Sequence, residues 1–311
     1  MNLQSTKSLS AAEPQYGVGV DIGGTKIMIH IANVAGEIAY KRKVCTTGKP
    51  EEIHGIIRET LESASIPIEQ VAAFGFGVPG ITDTRQGIVI EAPALQWANM
   101  PIGEKMSQYF NKPVFVDNDV NCAALGERWL GTARKLEDFV FLALGTGVGS
   151  AIFANGSLVY GSDYMAGEIA YMVLDDDVLN RDSNAFGQFG LYEKRISGTS
   201  LSSHGYASDE LFVKYAAGDP LAQKIVRQFV SNLAIGISNV VSLLNPQKVI
   251  IGGGVSQSLS DLLEQVRTTV SKLTPVPVAI ELSSLGEHSG AVGAAAMALG
   301  RIGRLEGDVP I

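Results

Sequence analysis

Asp21 stands at the end of an apolar run and one residue before two glycines, in V-G-V-D-I-G-G-T-K from Val18 to Lys26. A glycine turn leaving a strand lets the backbone N–H groups of Gly23 and Gly24 and the Thr25 hydroxyl approach phosphate oxygens. Asp21 could hold a metal-bound water there, and Lys26 could add positive charge. The plainer reading is a glycine hairpin turn with a buried aspartate, and the residues alone leave the two level. The spacing is not G-x-x-x-x-G-K-[ST], nor is it a G-x-G-x-x-G that opens a helix. L-G-T-G-V-G-S, Leu144 to Ser150, offers a second such loop through Gly145, Thr146 and Gly147. V-I-I-G-G-G-V, Val249 to Val255, offers a third, where flat backbone at Gly253 and Gly254 could pack against an adenine or ribose. A sharp strand-to-helix turn explains that third loop nearly as well.

The carboxylates form a second group. In V-D-N-D-V-N-C-A-A-L-G-E, Val116 to Glu127, Asp119 falls where a strand hands over to a helix. It could cap that helix, worth ~1 kcal/mol, or act as a general base that takes a hydroxyl proton during phosphoryl transfer. The roles conflict, because a capping carboxylate has its lone pairs occupied and its pKa lowered. Asn118 beside it could orient substrate hydroxyls. Glu168, in M-A-G-E-I-A-Y, and Glu193, in G-L-Y-E-K-R-I-S-G, could accept hydrogen bonds from vicinal hydroxyls, or could simply be solvated. Trp97 could stack on a sugar face or fill a core gap, and Trp129 is most simply core.

These residues need strands and helices to place them, and the chain repeats one arrangement. Apolar Tyr16–Ile22, the glycine turn, Lys26–Ala32, a turn at Asn33–Gly36 and Glu37–Val44 make strand, loop and hairpin. Phe139–Leu144, Gly145–Gly149, Ser150–Ala154, an Asn-Gly turn and Ser157–Tyr160 make it again. The copies lie roughly 120 residues apart, domain spacing rather than a solenoid period. Two matched loops suggest one phosphate group clamped from both sides. Around them the pattern predicts helices over Pro50–Ser63, Val120–Leu130, Asp209–Ala217, Pro220–Leu244, Ser258–Leu273 and Ser289–Leu299. Further strands are predicted over Val71–Val78, Val114–Val116 and Lys248–Ile251, with an irregular polar stretch over Asp163–Ser203. Alternating strands and helices imply α/β domains with mixed sheets. The division expected is a tail over residues 1–15, a small lobe over 16–117 rejoined by helix 289–300, and a large lobe over 118–288.

Composition narrows the classes. A chain of 311 residues with 46% hydrophobic and 18% charged residues folds around a core, and two domains are the default at that length. Its net charge of −8 opposes a phosphate-neutralising, nucleic-acid-binding face. The 35 glycines exceed the ~7% norm without a collagen period. Two cysteines and four histidines cannot build a disulfide framework or a cysteine-rich zinc site. With no apolar leader and no run of about 18 apolar residues, the expectation is a cytoplasmic protein with no membrane partner.

Taken together the motifs resemble those of the ROK family of sugar kinases, glucokinase-like proteins of the actin-like/hexokinase ATPase fold. The resemblance runs from about Gly17 to Leu299. It rests on D-I-G-G-T-K, G-V-P-G at Gly77–Gly80, N-D-V-N, L-G-T-G-V-G, G-E-I at Gly167–Ile169 and I-G-G-G-V, in family order. It implies two lobes of duplicated ribonuclease-H-like domains with a nucleotide cleft between them. It also implies ATP with Mg2+, a homodimer or homotetramer, and transfer of the γ-phosphoryl group to a hexose hydroxyl, O6 of a glucose-like sugar. Asp119 then matches the catalytic base, and Asn118, Glu168 and Glu193 the sugar ligands. Asp21, Gly23, Gly24, Thr25, Lys26, Gly145, Thr146, Gly147, Gly253 and Gly254 fall at the nucleotide.

The departures are specific. Where the family carries G-E-x-G-H and C-x-C-G-x-x-G-C-x-E, whose histidine and three cysteines bind zinc, this chain has Tyr171, Asn184, Phe186 and Leu191. The expectation is therefore no structural zinc, with an apolar plug of Phe186, Leu191 and the Tyr171 ring in its place. That histidine also touches the sugar, so Tyr171 bears on substrate identity, as does Ala94 in A-P-A-L where relatives have A-P-N-L. Two other readings stand beside the kinase: a sugar-binding regulator, which would need a helix-turn-helix for which the ~15 leading residues are too few, and a catalytically inactive sugar-binding protein.

Overall fold

The computed structural model describes residues 15–185, 188–206 and 208–305. Of the tail expected over 1–15, only Gln15 lies within them, its N–H donating to the Gln70 carbonyl at 2.9 Å. Five strands make the first sheet: β1 (Tyr16–Ile22), β2 (Lys26–Asn33), β3 (Ile38–Cys45), β4 (Val71–Val78) and β8 (Val114–Asn118). Their order is β3-β2-β1-β4-β8, with β1 antiparallel to β2 and parallel to β4. Helices α1 (Pro50–Ser63) and α2 (Ile102–Phe110) flank it. A small antiparallel sheet, β5 (Ile81–Asp83), β6 (Ile88–Ala92) and β7 (Trp97–Met100), stands beside it.

Helix α3 (Asp119–Trp129) leads to a second sheet of β9 (Phe139–Leu144), β10 (Val148–Ala154), β11 (Ser157–Leu158), β12 (Lys248–Gly252) and β13 (Ala279–Leu282). The order β11-β10-β9-β12-β13 repeats the senses of the first sheet, an antiparallel hairpin joined to parallel strands. The internal echo is therefore a real duplication of topology. Continuous burial of β4 and of the middle of β1 explains their unbroken apolar runs, since both faces are covered.

Several boundaries differ from expectation for local reasons. The strand before Asp119 runs on through Asp117 and Asn118, because both still pair with β4. The polar stretch after β11 folds into short helices α4 (Asp175–Leu179), α5 (Glu193–Ile196) and α6 (Gly198–Ser202). Helices α7 (Ser208–Ala216) and α8 (Pro220–Leu244) follow, and the helix expected over Ser258–Leu273 divides into a 3-10 stretch, Gly254–Leu262, and α9 (Leu263–Leu273).

The chain crosses between lobes twice, through α3 and through the segment 283–288 that leads into α10 (Ser289–Arg301). Helix α10 lies on the first sheet and against α3, and small residues permit the approach. A Cβ on Gly75 would sit 1.9 Å from the Ala294 carbonyl oxygen, and one on Gly293 would sit 1.6 Å from that of Cys122. Glu127 of α3, fully buried, fastens the two crossings. Its carboxylate accepts from Thr132 N at 2.7 Å, Ser283 Oγ at 2.5 Å and Leu285 N at 3.1 Å. Among the described residues no helix is long and apolar enough to cross a membrane.

Candidate active site

Asn118, not Asp119, caps α3. Its Oδ1 accepts from Val120 N at 2.8 Å and Asn121 N at 3.2 Å, and its Nδ2 donates to the Gly80 carbonyl at 2.9 Å. Asp119 Oδ1 accepts from Val120 N at 2.9 Å, but the cap itself falls to Asn118, so the Asp119 carboxylate is not consumed by capping. Burial raises its pKa to about 6, against the lowering effect of the neighbouring backbone N–H groups. Below it, Asp117 is buried and its carboxylate accepts from Asn121 Nδ2 and Tyr160 Oη, both at 2.8 Å.

Asp21, the last residue but one of β1, has its carboxyl against the first turn of α10, where a Cβ on Gly290 would meet Oδ2 at 2.4 Å. Burial, and secondarily the charge of Asp119, push its pKa up to about 8, while Lys26 opposes the rise. Lys26 and Lys43 both pair with Glu287 of the second crossing, Lys43 at 2.9 Å. The first glycine turn closes by a bond from Gly23 N to Lys26 O at 2.9 Å and is steadied by Thr46, whose hydroxyl donates to Gly23 O at 2.6 Å. Gly24 and Thr25 are exposed.

The other two glycine loops meet at one cavity of about 470 Å³, lined by Gly145, Thr146, Gly198, Thr199, Gly254 and Val255 among others. Gly253 there has φ +85°, and a Cβ on it would lie 2.4 Å from the Leu144 carbonyl oxygen, so only glycine fits. Gly198 N donates to Gly145 O at 2.8 Å, and Thr199 Oγ1 to Thr146 O at 2.7 Å. The α6 start was missed in the sequence, although Ser197, which caps it, followed by Gly198 and Thr199, carried a helix-start signal.

Glu168 begins the 3-10 turn Ile169–Tyr171, and its pKa is raised by burial first and then by the charges of Asp119 and Glu193. Glu193 has both oxygens on backbone, Oε1 accepting from Val148 N at 2.8 Å and Oε2 from Gly190 N at 3.1 Å. A Cβ on Gly147 would meet that carboxylate at 2.5 Å. It thus buttresses the second glycine loop from below. Trp97 is core, 4% exposed, with its Nε1 donating to Gly48 O at 2.7 Å, and Trp129 is core as well. Ala94 sits across from Gly24 at 3.6 Å from where its Cβ would be.

At the positions where the resemblance implies zinc ligands, the donors do not suit the metal. Asn184 Nδ2 donates to the Tyr171 carbonyl at 2.7 Å, and its Oδ1 accepts from Leu191 N at 2.8 Å. One amide therefore ties three of the four positions. Leu191 is buried, but Phe186, expected beside Leu191 and the Tyr171 ring in the apolar plug, lies outside the described residues. Among the described residues no three His, Cys, Asp or Glu side chains converge as a metal site would need.

Comparison with known proteins gives a consistent picture. The sequence pattern of the ROK family matches residues 17–301. The chain is 30% identical over 308 residues to a glucokinase of Halalkalibacterium halodurans, covering 90% of this chain and 93% of that one. It is 28% identical to a xylose repressor of Caldicellulosiruptor bescii, covering 91% of this chain and 77% of the repressor. Its fold superposes on a ROK-family glucokinase of Streptomyces griseus, solved with glucose and AMPPNP, at a TM-score of 0.75 and 28% identity, covering 93% of this chain and all of that one. The two mixed sheets are those of the two-lobed hexokinase, or actin-like ATPase, fold.

Proposed function

The chain belongs to the ROK family, and from that premise we propose that it is an ATP-dependent hexose kinase acting on a hydroxyl of a glucose-like sugar, with O6 as the acceptor. The observation that carries this reading is the division of labour at one helix start: Asn118 caps α3, so Asp119 is free to take a proton. A carboxyl raised to about 6 is ionised at neutral pH and is a stronger base than an ordinary aspartate. As the sugar oxygen bonds to the γ-phosphorus, the bond from phosphorus to the β–γ bridging oxygen breaks and ADP leaves. The hydroxyl proton passes to Asp119.

Glu168 lies close enough to Asp119 for their charges to interact, which suits a hydrogen-bond acceptor for a neighbouring sugar hydroxyl. Asn118 retains a second amide N–H for another hydroxyl, and Tyr171 ends the turn that Glu168 begins. Glu193 acts one step back, holding the Val148 backbone and with it Gly145–Gly147. The nucleotide fits the cavity between Gly145–Thr146, Gly198–Thr199 and Gly254, whose glycines would let phosphate and ribose come close against backbone.

Asp21 and Asp119 also fit Mg2+, whose usual sites combine one or two carboxylates with water and substrate phosphates. Burial and the charge of Asp119 keep the Asp21 carboxyl protonated at neutral pH in the ligand-free chain, and a bound cation would offset that charge and let the proton leave. When bound, Mg2+ neutralises phosphate charge. Asp21 would hold it through water, and Gly290 gives the carboxyl room.

The similarity to a xylose repressor supports a second reading, a sugar-binding regulator without turnover. Coupled ADP-release assays over glucose, mannose, N-acetylglucosamine and β-glucosides decide between them. Turnover on a hexose that disappears in Asp119→Asn supports the kinase, and tight sugar binding with no turnover supports the regulator.

A further inference from the structure

Two tyrosines four residues apart, on the loop from β11 to Glu168, each donate to an aspartate of the opposite lobe. Tyr160 Oη donates to Asp117 Oδ2 and Tyr164 Oη to Asp83 Oδ1, each at 2.8 Å, with the rings edge to face and centroids 6.5 Å apart. The two bonds differ in setting. Asp117 is fully buried and its other oxygen already accepts from Asn118 N at 2.7 Å and Asn121 Nδ2. The Tyr160 bond therefore ends on a fully enclosed carboxylate. The Tyr164 bond is only half-buried, between the tip of β5 and a loop.

Tyr164 also holds φ +59°, in the left-handed region that aromatic residues avoid. Its aspartate, by contrast, is rigid: Asp83 Oδ1 accepts from Arg85 N and Gln86 N at 3.0 Å, and Oδ2 from Gln86 Nε2 at 2.9 Å. Downstream, Gly167 fixes the loop against β10, since a Cβ there would lie 2.3 Å from Ser150 O. The loop is therefore anchored at both ends, with Tyr164 as the movable contact between.

The bond closes a ring through the site. Asn118 holds Gly80, Gly80 leads into β5 and Asp83, Asp83 meets Tyr164, and Tyr164 leads to Glu168. We infer that Tyr164 is a positioning residue whose bond to Asp83 latches the Glu168 loop to the first lobe, closed in the resting chain and opened only transiently for sugar entry and exit. As a role in sugar handling this rests on the kinase reading; as a contact between lobes it does not.

The test uses the full chain carrying Tyr164→Phe, which keeps the ring and removes the donor, beside Asp83→Asn, which keeps an acceptor. Without any ligand, amide exchange over residues 161–166 should quicken in Tyr164→Phe and stay slow in Asp83→Asn. In turnover, Tyr164→Phe should raise the sugar KM and the sugar release rate about three- to tenfold, the worth of one net hydrogen bond, with kcat and the ATP KM within about twofold. Unchanged exchange overturns the latch. Quickened exchange with an unchanged sugar KM overturns its role in positioning. A wild-type chain that phosphorylates no sugar defeats the kinase reading, while the exchange measurement still decides the contact.

Discussion

Asn118 and Asp119 share one helix start, and the asparagine does the capping. Its Oδ1 takes the N–H groups of Val120 and Asn121, so the aspartate beside it meets burial with few compensating donors. Removing the asparagine's oxygen should therefore change the chemistry as well as the helix. In Asn118→Ala the orphaned N–H groups turn to Asp119, its pKa falls toward or below the ordinary carboxylate value, and the acidic limb of the kcat/KM profile moves down from about pH 6. Stability falls by about 1 kcal/mol, the usual worth of a cap. A pH–rate profile beside a urea melt measures both.

Asp119→Asn leaves the cap in place and should leave the fold intact. Turnover should drop about 10²–10⁴-fold, the range for loss of a general base. The acidic limb near pH 6 should vanish from what activity remains. Near-wild-type turnover in a folded variant would exclude Asp119 as the base.

The elements around this site were legible wherever the signal is local. Buried strands announce themselves as apolar runs, and the glycine loops at Gly23, Gly145 and Gly253 stand out because each leaves such a run. The choice between Asn118 and Asp119 as cap was not legible, since both are good capping residues one position apart. Nor was Tyr164–Asp83, whose partners lie 81 residues apart, or Glu127–Ser283, separated by 156. Such contacts depend on how two lobes meet, which no periodicity encodes. The replacement at the expected zinc positions was partly legible: the missing ligands could be read, but the clip formed by Asn184 depends on loop geometry.

Asn184→Ala cuts that clip. Because Tyr171 follows Glu168 and Leu191 precedes Glu193, the segments bearing both carboxylates should loosen together. The expected result is faster proteolysis between residues 172 and 192 and a sugar KM raised more than the ATP KM. Asn184→Asp keeps one acceptor for Leu191 N and should fall between the two. Limited trypsin digestion with paired KM measurements reads this out.

Glu127→Ala should unfold the crossing before it affects chemistry. The substitution leaves Thr132 N and Leu285 N without their acceptor and opens a cavity where a fully buried side chain stood. Each orphaned buried donor costs about 1–3 kcal/mol, so a lowered urea midpoint is expected even when substrates are saturating.

Asp21→Asn should trade function for stability, with a defined pH window. In the folded chain the Asp21 carboxyl titrates at about 8, against 3.8 for an ordinary aspartate. Below pH 4 folded and unfolded chains both hold the proton, and Asp21 adds no pH dependence. Between 4 and 8 the folded chain keeps a proton that the unfolded chain has released, so its contribution to stability declines as pH rises and is lowest above 8. Asparagine removes that decline. The variant should therefore melt close to wild type at pH 4.5 but higher at pH 8.5, by about 2–4 °C for each ~1 kcal/mol relieved. On the kinase reading, turnover should meanwhile fall sharply at every pH, because the carboxyl proposed to hold Mg2+ through water is gone. Melting curves at the two pH values, without nucleotide or Mg2+, test the first half; an equal shift at both would show that Asp21 is not held protonated in the folded chain.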